Sequence, residues 1–131
     1  AVKHMRKFDA REWESNIRRM FGSTADAILE IERRTGKNDP AKHAMRLSRI
    51  LSNWDEILGI IDAELPSYDS ILSLMLGVGM PTAPADLGIS NDMVRDAFVG
   101  ARDIRDKYLS CSLLWDLGLL DEFADRLVDS L

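Results

Sequence analysis

This chain has one cysteine, two histidines and no apolar run approaching eighteen residues. Each scarcity excludes something. Cys111 alone cannot close an internal disulfide, which favours a reducing compartment and makes the cytoplasm the expected location. Without a long apolar run, no helix is expected to cross a membrane. Residues 1–20 also lack the apolar centre of a secretory signal. His4 and His43 are far apart, and neither H-x-x-x-H nor C-x-x-C occurs. Asp39 and His43 share a helical spacing of four, but two ligands do not make a metal site. No G-x-G-x-x-G and no P-loop is present, and Gly77-Val-Gly79 follows a helical pattern rather than a strand. The basic excess that a phosphate backbone demands is missing too. The net charge of −5 argues against nucleic acid as the main partner.

What is there is enough apolar material for a buried core. Apolar residues make up 46% and charged residues 30% of the 131 positions, the balance of one globular domain spanning 1–131. The pattern is helical throughout, with no alternating run of five or more residues to suggest a strand. Asp9 with Glu12 reads as a capping box for a helix over Ala10–Phe21. Gly22-Ser23 breaks it, Ser23 caps a second helix, and Gly36 ends that one. Asp39-Pro40 restarts the chain in its longest helix, expected to reach Glu64 and to run about 37 Å. Its apolar residues Leu47, Ile50, Leu51, Trp54, Ile57, Leu58 and Ile61 recur at steps of three and four, which makes it the expected backbone of a bundle. Ser67 caps a shorter helix to about Leu76, and Thr82 to Gly88 should form a single turn between prolines. Ser90 caps a helix through Tyr108. Another begins near Ser110 and ends at Gly118, and Asp121 caps the last. The whole is an all-α multi-helix bundle of about seven helices. Val2, Met5 and Phe8 give the N-terminal edge a cut appearance, and Ala1–Met5 reads as the end of a helix.

Arg105 is the candidate hardest to explain as surface. On a helix over Asn91–Tyr108 the apolar stripe is Val94, Ala97, Phe98, Ala101, Ile104 and Tyr108, and Arg105 falls within it. A buried guanidinium needs a carboxylate, a carbonyl or an anion. The plain reading is an ion pair with Asp62, Asp69 or Asp116. The functional reading is contact with a substrate phosphate or with a catalytic domain. Arg102 and Lys107 are expected to be solvated, and Tyr108 to be a core aromatic whose hydroxyl finds a carbonyl. His43 continues the stripe of Leu47 and Ile50 as a half-buried helix-start residue. Cys111 has no histidine near it in sequence and makes a poor nucleophile. Trp13, Trp54 and Trp115 read as core, and the Arg18-Arg19 and Arg33-Arg34 pairs as solvated faces.

Gly-Met-Pro-Thr-Ala-Pro-Ala-Asp-Leu-Gly-Ile (79–89), Ile-Arg-Asp-Lys-Tyr (104–108) and Leu-Trp-Asp-Leu-Gly-Leu-Leu (114–120) together resemble the C-terminal end of glycerol-1-phosphate dehydrogenases. These are members of the iron-containing alcohol dehydrogenase and dehydroquinate synthase superfamily. The resemblance extends more weakly through Arg46–Leu65. It implies the C-terminal helical domain of a dehydroquinate synthase-like fold, preceded in a parent enzyme by a nucleotide-binding α/β domain. It also implies reduction of dihydroxyacetone phosphate to sn-glycerol 1-phosphate by NADH or NADPH, with zinc or iron polarising the ketone. Arg105, Arg102 and Tyr108 are then the substrate-binding candidates. His4 is followed by Met5 rather than the glycine of the family's second histidine motif, so no metal-binding role is carried over. Leu109 stands where the family usually has threonine. The chain alone is thus expected to hold no cofactor, no metal and no catalytic residue. Its expected partner is an upstream nucleotide-binding domain or another protein, and an oligomer remains open.

Two rival readings follow from the same residues. One is a stand-alone helical interaction module derived from that family; the other is a regulatory domain binding a phosphorylated metabolite. An apolar, incomplete surface shared by residues 1–30 and the Arg105 region would favour a missing upstream domain. A closed polar surface there would favour the module. Arg105 open to solvent within a pocket would favour the regulatory domain.

Overall fold

The computed structural model describes residues 8–131, and the reading of Ala1–Met5 as a helix end lies outside them. These residues form eight α-helices and no strand: α1 (Ala10–Phe21), α2 (Ala25–Thr35), α3 (Pro40–Ser52), α4 (Trp54–Glu64), α5 (Tyr68–Gly77), α6 (Asn91–Gly100), α7 (Ser110–Asp116) and α8 (Leu120–Asp129). Single 3₁₀ turns occupy Gly22–Thr24 and Pro84–Leu87.

Helix starts follow local chemistry. The Asp9 carboxylate accepts from the amides of Arg11 and Glu12, and that of Asp39 from Lys42 N, ahead of Pro40 at the first helical position. Ser67 and Ser90 do the same for Ser70 N and Met93 N. Each cap satisfies an amide that the first turn cannot. Gly36 closes α2 at φ 58°, a conformation costly for any residue with a Cβ. Two expected caps are replaced. Ser23 lies inside the 3₁₀ turn rather than capping α2, and Asp121 sits in the first turn of α8, which begins one residue earlier.

Two larger departures shape the molecule. The single long helix is divided at Asn53, whose backbone leaves the helical region at φ −123°, ψ 25°. The Asn53 side-chain amide donates to the carbonyl of Arg49 at 2.7 Å, and a side chain inserted into the backbone ladder is a recognised cause of helix breaks. The helix expected to reach Tyr108 stops at Gly100. Beyond it, the Lys37 ammonium donates to the carbonyls of Arg102 and Arg105, at 2.9 and 3.1 Å. Those carbonyls are held by a distant side chain instead of by amides four residues on. Tertiary hydrogen bonds here override a helical propensity worth only tenths of a kcal/mol per residue.

The core has a compact centre and an open side. Ile17, Ala25, Ile28 and Leu29 are buried where α1 and α2 pack, with Trp13, Met20 and Phe21 around them. α6 lies against α8 and α1, and α7 bridges α8 and α3. Gly100 is buried at the α1–α6 crossing because a Cβ there would come within 2.7 Å of the Phe21 ring. Arg19 ties the same crossing by pairing with Asp96 at 2.5 and 2.8 Å. From Leu51 to Ser90, by contrast, no residue is buried. α4 and α5 are an arm outside the body, not the backbone of the bundle.

Candidate functional site

A charged cluster joins the turn after α2, the start of α3, the segment 101–109 and α7. At its centre is Asp116, the last residue of α7, with 1% of its surface exposed. Arg46 grips it in fork geometry, Nε donating to Oδ2 and a terminal nitrogen to Oδ1, both at 2.9 Å. The Tyr108 hydroxyl donates to Oδ2 at 2.8 Å. His43 Nε2 donates to the Asp116 backbone carbonyl at 3.1 Å, and because a carbonyl can only accept, that nitrogen carries the proton. Bidentate charge-assisted pairing of this kind is what allows a carboxylate to lie so deep. The same carboxylate keeps the Tyr108 phenol protonated. Burial first, then the bond to Asp116, push its pKa well above the ordinary 10.0.

A second buried cation sits beside the first. The Arg102 guanidinium lies 4.0 Å from the Trp115 ring centroid, a cation–π contact, and donates to the Asn38 side-chain carbonyl. Arg102 is 5% exposed, and burial lowers its pKa although Asp103 opposes the shift. Trp13 Nε1 donates to Asp103 Oδ2 at 3.2 Å, tying α1 to this segment. Burial also lowers the pKa of Lys37, whose ammonium spans two carbonyls of segment 101–109. Lys37, Arg46, Arg102, Asp106, Lys107, Tyr108, Ser112, Trp115 and Asp116 line a cavity of about 150 Å³. Four cations, Lys37, Arg46, Arg102 and Lys107, are matched in this neighbourhood by four acids, Glu32, Asp103, Asp106 and Asp116. Charge balance of that sort makes the cluster a clasp between distant segments.

The candidate residues divide unevenly. Arg102 and Tyr108 are brought together in the cavity wall, and Arg105 is not in it. The expected burial is reversed: Arg102 is buried and Arg105 is exposed. The helical-wheel argument assumed a helix through Tyr108, and the chain leaves the helix after Gly100. Among the described residues no carboxylate pairs with the Arg105 side chain, and Asp116 belongs to Arg46. Lys107, like Arg105, is exposed, and Tyr108 is 55% exposed rather than core, its hydroxyl bound to a carboxylate rather than a carbonyl. His43 is half-buried as expected, and its ring lies 4.8 Å from that of Trp115. Trp54 is exposed rather than core. Cys111 is buried, and burial raises its thiol pKa, the opposite of what a nucleophile needs.

Arg46, Asn38, Lys37 and the hub role of Asp116 were missed. A signal existed for one of them. Asp116 is the single charge within Leu113–Leu120, an otherwise apolar run in which an acid must find a buried partner.

Among the described residues no group of three or more His, Cys, Asp or Glu could hold a metal ion. No family model, curated protein or solved structure matches this chain.

Proposed function

We propose that the chain acts by docking, as the C-terminal helical portion of a glycerol-1-phosphate dehydrogenase-like oxidoreductase. Its partner in that reading is the nucleotide-binding domain that would hold NADH or NADPH. The parent activity would be reduction of dihydroxyacetone phosphate. The described residues supply neither a metal donor set nor a dinucleotide loop, so no chemical step is assigned to them.

One observation supports docking above all: the arm from Leu51 to Ser90 buries none of its residues. Leu58, Ile60, Ile61, Leu65, Ile71, Leu74 and Leu76 are 39–66% exposed. Large apolar side chains left this open in such number favour an interaction surface. The enzyme identity rests on the motifs between Gly79 and Leu120. A stand-alone interaction module is the second reading, and a specific feature favours it. The exposed positions of residues 9–30 are almost all polar or charged, so the exposed apolar side chains lie elsewhere among the described residues. Arg105 is open to solvent but outside the cavity, which gives the metabolite-binding reading no support.

The deciding experiment is the mass of the protein in its native source, probed with an antibody to this chain. A species roughly three times 14.8 kDa that reduces dihydroxyacetone phosphate supports the dehydrogenase reading. A species of 14.8 kDa overturns it and leaves the interaction module.

A further inference from the structure

The arm is acidic as well as apolar. Between Arg49 and Arg95 the sequence contains no lysine, arginine or histidine, and it contains Asp55, Glu56, Asp62, Glu64, Asp69, Asp86 and Asp92. All seven are exposed, and none forms an ion pair among the described residues. These seven negative charges exceed the whole chain's net −5, so the remainder is slightly basic.

Their arrangement has the form of an interface. On α4, at about 100° per residue, Ile60, Ile57, Ile61, Trp54 and Leu58 occupy an arc of roughly 160°. Asp55 and Asp62 border that arc on one side and Glu56 on the other, and Glu64, the last residue of the helix, falls inside it. An apolar centre with a charged rim is the ordinary anatomy of a protein–protein contact. The surface area agrees. The chain exposes 9391 Å², about a third more than the roughly 7,000 Å² expected of a compact monomer of its mass. That surplus is ample for one side of a standard interface, about 800 Å².

We propose that the arm docks onto a protein surface whose apolar groove is rimmed by lysine and arginine, and not onto the same arm of a second copy. This rests on the docking reading above and specifies its partner's chemistry. Arm-to-arm pairing would place six carboxylates against six, with no cation on either side, and like-charge juxtaposition disfavours it. An anionic lipid surface is repelled by the same charges. A basic rim reverses the sign of both effects, and it speeds association in a salt-dependent way.

The test places a photo-crosslinking benzoylphenylalanine at Ile61 or Leu74, 39% and 66% exposed, in the full chain expressed in its host cell. The cross-linked peptide is then sequenced. The expected product is a protein segment rich in lysine and arginine. In lysates of those cells irradiated at set ionic strength, its yield should fall about tenfold or more between 50 and 500 mM salt. The triple variant Asp55→Lys, Asp62→Lys, Asp69→Lys should lower the yield similarly with an unchanged circular dichroism spectrum, since all three positions are exposed. A cross-link to a segment without excess basic residues overturns this inference and leaves the docking reading standing. A cross-link from arm to arm of two copies also overturns it. If only lipid or no product is captured, both fall. Where the basic segment lies, upstream in the same polypeptide or on a separate one, distinguishes the dehydrogenase reading from the module.

Discussion

Replacing Arg46 by methionine should cost more stability than replacing its partner Asp116 by alanine. Asp116 is 1% exposed and holds two hydrogen bonds from Arg46 and one from Tyr108. Without Arg46 the carboxylate is left nearly dry, with the Tyr108 hydroxyl and, 3.4 Å away, His43 Nε2 as its remaining polar neighbours, and it is too short and too deep to swing out to solvent. Breaking a buried pair from that side falls at the upper end of the usual range, about 4–5 kcal/mol. In Asp116→Ala the stranded group is Arg46, whose side chain is 27% exposed and can swing its charge to solvent. About 3 kcal/mol is expected there. The double variant Arg46→Met, Asp116→Leu replaces the pair with apolar groups of similar size. It should return to within about 1–2 kcal/mol of the parent, because the penalty lies in the orphaned charge rather than in the missing bond. Urea unfolding of the 131-residue chain, followed by tryptophan fluorescence, gives the three values at constant m. In thermal melts the Arg46→Met shift is about 12–20 °C downward for a domain of this size. If Arg46→Met costs less than about 1 kcal/mol, or the cycle is additive, the clasp reading is wrong. The 101–109 segment would then be held by something else.

Gly100→Ala should destabilise by about 1–3 kcal/mol, read as a shift in urea midpoint, because its Cβ would meet the Phe21 ring at 2.7 Å. A Phe21→Leu background should relieve most of that loss, and an unrelieved cost would point to the backbone instead. For Tyr108 the sign follows from protonation. Its folded-state pKa lies above the ordinary 10.0, so from pH 10 upward the unfolded chain releases a proton that the folded one keeps. Stability is therefore intact below pH 10 and declines above it. Tyr108→Phe should be less stable than the parent at pH 8.5, and the gap should narrow at pH 10.5 to 11 in paired urea titrations. A constant gap would remove the Asp116 bond from the account. Finally, the 131-residue chain given glycerol 1-phosphate, NAD and zinc should form no NADH above background at 340 nm. Turnover would overturn the assignment of all chemistry to another domain.

Local chemistry was the legible part of this fold. Asp9, Asp39, Ser67 and Ser90 announce helix starts because a cap needs only its own next three amides. Gly36 and Gly88 announce turns because only a residue without a Cβ takes positive φ cheaply. The clasp was illegible for the opposite reason. Arg46 and Asp116 are 70 residues apart, and Lys37 and the Arg102 carbonyl 65. Nothing in the Arg-Asp-Ile-Arg-Asp-Lys-Tyr run reveals that its carbonyls will be taken by a lysine from the far side of the chain. Once the helix ends at Gly100, the rotational bookkeeping that buried Arg105 and exposed Arg102 is void, and the two exchange places.

The arm marks a different boundary. A stripe of apolar residues at three- and four-residue steps looks the same whether its helix packs on its own chain or on another. By periodicity the stripe from Leu47 to Ile61 is a bundle's backbone, yet beyond Ile50 it lies outside the body. Charge separates the two cases where periodicity cannot. A helix inside its own fold can have its acids met by neighbouring bases. In the body Arg18, Arg19, Arg33, Arg46 and Arg95 each pair with a carboxylate there. None reaches Asp55, Glu56, Asp62, Glu64 or Asp69. A span with five acids on its two helices and no base is complementary to a surface this chain does not itself present, which is why the arm's counterpart is to be sought by its lysines and arginines.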